Sequence, residues 1–337
     1  MIDDVRSEHR GREAVVPMKD KDGRSVLVVI LKYTFAVDPS GFAEIPDDPH
    51  EVRFVDECWG DDLASSSIKK PSDLFDTKPG TDVILVGHAY PPSVGATHVD
   101  VSLRVGPVAK TVRAHGLRVW IPGSLGGLAA GPSRPVREPV PLKYELAWGG
   151  IDLSNPERIV GEARNYAGRG VAADPQSLID QPAAQLEDPS RPFGGRSNVP
   201  WSFGPIHRHW EPRKSFSGTY DEAWMEMKMP YLPDDFDPRF HVCVPPEQWS
   251  QVPLRGDEPI EIVGARPEGP WRFRLPRVAP GFLSSALGRE QPNRTWLDTL
   301  LIDADLGRVE LTWRASIPLP KKYEQFDYVK IGEKTVV

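Results

Sequence analysis

Three short clusters in this 337-residue chain carry side chains able to do chemistry. His207-Arg208-His209 sets two imidazoles two residues apart, which on a strand would share one face as a pair of metal ligands requires. No third ligand follows nearby and Arg208 adds positive charge between them, so the expectation is a surface or packing role. Asp234-Asp235-Phe236-Asp237 offers three carboxylates in four residues, but lacks the glycine and distal glutamate of an EF-hand calcium loop. Between Pro233 and Pro238 it reads instead as a turn whose Asp side chains accept hydrogen bonds from local N–H groups. Cys243, in FHVCVPP, stands two residues from His241, yet a reactive thiolate needs an exposed electropositive setting and this stretch reads as buried.

Other templates fit less well. Glycoside cleavage requires two carboxylates astride a bond, and Asp235, Asp237 and Glu258, with tryptophans as a sugar platform, are a conceivable set. Among 48 acidic residues nothing in the context distinguishes such a pair. There is no G-x-S-x-G elbow, and the glycines at 123, 126 and 127 lack the following Lys-Ser/Thr and helix of a phosphate-binding loop. No catalytic residue, cofactor or metal is expected.

The segment Arg191 to Phe240 concentrates Trp, Tyr, Phe, Pro, Gly and Arg, the side chains that dominate rigid protein-binding surfaces. Its candidate partner-binding residues are Arg191, Arg196, Trp201, Phe203, Arg208, Trp210, Arg213, Tyr220 and Trp224. The arginines would meet an acidic or carboxylate-bearing partner, while some aromatics would brace the long loop against the sheets.

The elements that position this segment are strands. Proline, at 36 residues, is roughly double its usual ~5% share, which argues for short strands and ordered turns over long helices. SVLVVILKYTFAV (25–37) reads as a strand buried on both faces, turned by Asp38-Pro39-Ser40-Gly41. GFAEIP and HEVRFVDE read as short returning strands, and 83–89, 99–105 and 110–120 as further strands, the last two alternating. Later strands are PIEIVGA, WRFRLP, and a hairpin LDTLLIDADL/RVELTWRA turning at Asp305-Leu306-Gly307. Helical turns are expected only at 176–180 and 221–229, the latter opened by an Asp cap and closed by Pro230.

The predicted fold class is mainly β: antiparallel β-sandwich-like halves with a long loop-rich insertion. The predicted organisation is an N-terminal arm (1–23), a first β-rich half (24–121), a Gly/Ala/Pro-rich linker or loop (122–140), a second β-rich half (141–320) holding the loop-rich region 151–240, and a C-terminal tail (321–337). GTDVILVG and GDEPIEIVG echo one another across the two halves, a possible trace of duplication.

A net charge of -7 with no Lys/Arg block gives no footprint for nucleic acid or an anionic membrane. The longest apolar run, Val26 to Leu31, is too short to span a bilayer and the first residues lack a signal-peptide core, so a cytoplasmic protein is expected. Two cysteines in dissimilar contexts make neither a disulfide framework nor a zinc site.

An ordered string of motifs adds a family. It comprises Lys32-Tyr33-Thr34-Phe35, Ser65-Ser66, Ser72-Asp73, Lys78-Pro79, Thr81-Asp82-Val83, Gly87-His88-Ala89-Tyr90-Pro91-Pro92 and Gly116 with Arg118 and Trp120. It continues through Ala147-Trp148-Gly149-Gly150, Phe203-Gly204-Pro205, Trp210-Glu211-Pro212-Arg213, Gly218-Thr219-Tyr220-Asp221, Asp235-Phe236-Asp237, Pro245-Pro246 with Gln248, Gly256-Asp257-Glu258 and Leu275-Pro276. Over roughly 24–276 the chain resembles bacterial proteins long catalogued as a domain of unknown function and now regarded as adaptor chaperones of type VI secretion effectors. One departure is Asn165-Tyr166-Ala167-Gly168-Arg169-Gly170, where that family usually has Asn-Pro near a glycine pair. The resemblance implies a non-enzymatic cytoplasmic adaptor, without cofactor, whose partners are a cognate effector toxin and, directly or through it, the spike. Readings from other classes are a carbohydrate-active or other hydrolytic enzyme on a β scaffold, and a structural spike component.

Overall fold

The computed structural model describes residues 5–62, 65–123, 127–193, 198–319 and 326–334. It is mainly β, with three larger sheets, several two-stranded ribbons, and one short α-helix among the described residues.

The largest sheet runs in the order Trp249–Ser250, Thr81–Val86, Trp296–Asp303, Arg308–Pro318, Ser25–Val37, Arg12–Lys19, with Ala43–Glu44 added beside Ser25–Val37. Its only parallel contact is between Thr81–Val86 and Trp296–Asp303. A second, antiparallel sheet runs Leu186–Glu187, Val108–His115, His98–Val105, Pro259–Val263, Trp271–Arg274. A third joins the two ends of the chain: Val5–Glu8 lies parallel to Phe326–Lys334, which pairs with Ala279–Ala286, followed by Arg289–Arg294. All three feed one core: Leu27, Val29, Leu31 and Tyr33 from the large sheet, Val101, Leu103 and Ile262 from the second, and Phe282, Val329 and Ile331 from the third.

Several expected elements stand where the residues place them. Ser25–Val37 is buried along nearly its whole length, His98–Val105 alternates buried and open positions, and Asp305-Leu306-Gly307 turns the Trp296–Pro318 hairpin. Others differ. Residues 50–55 form no strand but lie irregularly across the large sheet, because His50 and Arg53 reach down to Glu310. The arm 1–23 contains the strand Arg12–Lys19, and the tail 321–337 contains the strand Phe326–Lys334. Of the 122–140 stretch, Leu128–Ala130 pairs back onto Trp120–Pro122, and Val140–Pro141 onto His88–Ala89. Strands from 24–121 and 141–320 pair with one another in both the large and the second sheet, so the two sequence halves interleave. The echo segments fall in different sheets, Thr81–Val86 in the large one and Pro259–Val263 in the second.

The outer face of the large sheet holds most of the buried charge among the described residues. At either end this face is apolar: Val28 and Ile30 pack with Val52, and Ile84, Val86 and Leu301 pack with Val242 and Val244. Between them five cations, Lys32, Arg53, Lys70, Lys78 and Arg314, meet five carboxylates, Asp73, Asp82, Asp298, Asp303 and Glu310. Lys32 Nζ is 2.5 Å from Asp73 and 3.3 Å from Glu310, and Arg53 is 2.6 Å from the same Glu310. Lys78 reaches Asp82 at 2.8 Å and Arg314 reaches Asp298 at 2.5 Å. Ions are expensive to bury unless fully matched, and removing one partner of such a set costs about 3–5 kcal/mol. The segment 50–79, which supplies Arg53, Lys70, Asp73 and Lys78, therefore covers an ionic layer. Lys32, Asp73, Lys78 and Asp82, all members of the family-like string, serve architecture here.

Candidate partner-binding surface

The loop 214–239 projects an apolar knob whose base is closed by hydrogen bonds. Asp235 accepts from the Thr219 backbone N–H at 2.9 Å and from its hydroxyl at 2.8 Å, and Asp237 N–H donates to the Phe216 carbonyl. Gly218 at φ +82° is required at this crossing, since a Cβ there would lie 2.9 Å from both Asp235 Oδ1 and Pro233. Asp221 caps the helix Glu222–Met227 by accepting from Trp224 N–H at 2.9 Å, as the sequence predicts, and Pro230 follows its end. Trp224 braces the return: its indole N–H donates to the Tyr231 carbonyl, and its ring meets Tyr220 edge-on at 4.7 Å. Lys228 pairs with Asp234. The Tyr231 ring lies over Gly23, anchoring the knob beside the turn between the first two strands of the large sheet.

On this frame stand Tyr220, Met225, Met227, Met229 and Tyr231, exposed by 51%, 60%, 81%, 60% and 42%. So much uncovered apolar side chain within one braced loop is a surface feature with a purpose beyond packing. Glu222 and Glu226 are exposed on the same helix. The methionines were not among the residues expected to contact a partner. A signal existed: at 100° per residue, Met225 and Met227 fall on nearly opposite sides of a helix, so one short helix cannot bury both.

The nine expected contact residues divide by burial. Phe203 and Trp210 are core residues, the latter edge-on to Tyr144 at 5.8 Å. Arg213 is buried and donates to the Phe240 and Ile206 carbonyls at 2.9 and 2.7 Å, tying the loop to its own underside. These three brace the fold from within and present no surface to a partner. Trp201 is half-buried, donating to the Thr111 carbonyl at 2.7 Å with Lys110 Nζ over its ring at 4.3 Å. Arg191 and Arg208 are exposed, held by Asp188 and Asp56 respectively. Tyr220 and Trp224 belong to the knob, and Arg196 lies outside the described residues.

The chemistry-bearing clusters are taken up by structure. His207 and His209 sit at a turn and not on a strand; His207 Nε2 lies 2.8 Å from the Ser66 carbonyl, while His209 is exposed. Among the described residues no group of three or more His, Cys, Asp or Glu could hold a metal ion. Asp237 caps the 3-10 turn Pro238–His241, and Glu258 accepts from the backbone N–H groups of Arg255 and Gly256. The Cys243 thiol is buried and donates to Asp82 at 3.0 Å; burial and that carboxylate push its pKa far up, which holds it protonated. His241 turns to Asp76 at 3.4 Å and stacks on Phe75, so the pair forms no dyad.

The fold and surface define a mainly β protein with an ionic layer on one sheet face and a braced methionine-aromatic knob beside it. Residues 22–314 match the family described as "Uncharacterized protein conserved in bacteria (DUF2169)", and the chain belongs to that family. No curated protein and no solved structure matches the chain. Among the described residues no helix is long and apolar enough to cross a membrane.

Proposed function

We propose that this protein is a non-enzymatic adaptor chaperone that holds a type VI secretion effector in the bacterial cytoplasm and assists its loading onto the spike. The secretion context comes from the motif string across 24–276; the observation that carries binding is the knob of Tyr220, Met225, Met227, Met229 and Tyr231. Methionine side chains are unbranched and polarizable, suited to covering an apolar segment of varied shape. Edge-strand addition is the less favoured mode. Arg12–Lys19 contains Pro17, Arg289–Arg294 contains Pro292 and three charges, and Trp271–Arg274 turns two arginines outward, all devices that discourage a further strand. The effector would cover the knob and its surroundings over a standard-sized interface, on the order of 1,600 Å².

The test is co-expression with the toxin-like protein encoded beside its gene, followed by size-exclusion chromatography. The native chain should co-elute with it, and a Met225→Ser/Met227→Ser variant with an unchanged melting temperature should not. A complex that survives this variant, or no complex with any neighbouring gene product, would overturn the reading.

A further inference from the structure

Away from the knob, the segment Asn165–Gly170, the departure noted in the motif string, builds a cleft of about 500 Å³, within the size range of ligand sites. Its floor is tight by construction. Asn165 is buried and its Nδ2 donates to the Tyr144 and Trp148 carbonyls at 2.9 and 2.8 Å, pinning the loop beneath it. Gly170 sits against Trp120 and Trp148, which meet edge-on at 5.9 Å; a Cβ at 170 would stand 2.5–2.7 Å from their rings. The Trp120 side chain is 1% exposed, yet its indole N–H meets no acceptor among the described residues.

Among the described residues, Arg169 is the only charged one lining this cleft. It is half-buried and forms no side-chain hydrogen bond or ion pair among the described residues. The one carboxylate whose charge bears on it, Glu145, has its oxygens engaged by Ser66 and Ser67. The deeply buried arginines Arg53, Arg118, Arg213 and Arg314 are each matched by a carboxylate or a carbonyl. A half-buried guanidinium left without a partner, lining the same cleft as Trp120, is a ready donor for an anion.

The surroundings narrow the anion. One guanidinium balances a monoanion, whereas a phosphate monoester carries nearly two charges at neutral pH. Apolar side chains on the wall are Tyr166, Leu178 and the half-exposed Ile151, and Leu153 and Ile159 stand exposed next to the adjoining ribbon Ile151–Asp152/Val160–Gly161. A carboxylate and an apolar side chain on the same carbon occur at a polypeptide C-terminus. We propose that this cleft captures the C-terminal carboxylate of a polypeptide ending in an apolar residue, with Arg169 as its principal donor. The assignment stands on the cleft alone and is independent of the secretion reading.

Calorimetric titration of the full chain tests it with N-acetyl-Gly-Gly-Leu as free acid, the same peptide as C-terminal amide, an amidated peptide with an internal glutamate, and inorganic phosphate. The free acid should bind at least tenfold more tightly than its amide and than the internal glutamate. Arg169→Gln should erase that preference, Arg169→Lys should keep part of it, and Ile151→Glu at the rim should weaken the acid selectively. Equal binding of acid and amide, equal binding of the internal glutamate, displacement by phosphate at lower concentration, or no binding of the acid would each overturn the assignment. Unchanged melting temperatures of the variants separate loss of the site from loss of fold.

Discussion

Lys110 is buried between the Trp201 ring and the Gln248 side-chain oxygen, 3.1 Å away, with no ion-pair partner among the described residues. Burial pushes its pKa down from 10.5 to about 8. Between those values the unfolded chain holds the proton and the folded chain does not, so stability rises with pH across the window and is reduced below it. The full difference is about 3 kcal/mol. We expect the urea midpoint of the native protein to rise from pH 8 to pH 10 relative to that of Lys110→Met; parallel profiles would show that Lys110 does not titrate in this way. The sequence placed Lys110 on an alternating strand but gave no sign of its burial, which depends on Gln248 and Trp201 arriving from far along the chain. The capping roles of Asp221 and Asp237 were legible because their partners lie three and two residues away, whereas Asp235 bonds Thr219, sixteen residues earlier.

At the scale of elements, local patterns were readable and non-local pairings were not. The alternation in His98–Val105 and the six-residue helix with its Asp cap follow from neighbours along the chain. Val5–Glu8 and Phe326–Lys334 look like arm and tail in sequence because they pair with each other across more than 300 residues and Phe326–Lys334 also pairs with Ala279–Ala286, about 40 residues earlier. In the same way composition could identify the 191–240 segment as unusual, but could not sort interior Trp210 from exposed Tyr220, since that depends on which sheet the loop crosses. The knob itself is held at its base by Asp235 and Thr219. Asp235→Ala should therefore leave the melting temperature nearly unchanged while accelerating limited proteolysis within 214–239. Unaltered cleavage kinetics there would show that the aromatic braces alone hold the loop.

For the whole molecule, interleaving is the governing fact: each of the two larger sheets needs strands from both sides of the 122–140 stretch. Fragments 1–123 and 127–337, expressed separately, should each lack dispersed amide resonances and regain them on mixing; a folded fragment on its own would contradict this dependence. The ionic layer imposes a second requirement, because its cations and carboxylates come from strands and loops distant in sequence and are matched only in one register. The pairing of Ser25–Val37 with Arg308–Pro318 also has a consequence in time. At ~5–20 residues per second, a ribosome takes roughly 14–54 s to make the 270 or so residues between them. Throughout that interval the most apolar strand of the nascent protein has Arg12–Lys19 and Ala43–Glu44 as its early partners, and its other flank stays open until Arg308–Pro318 is made.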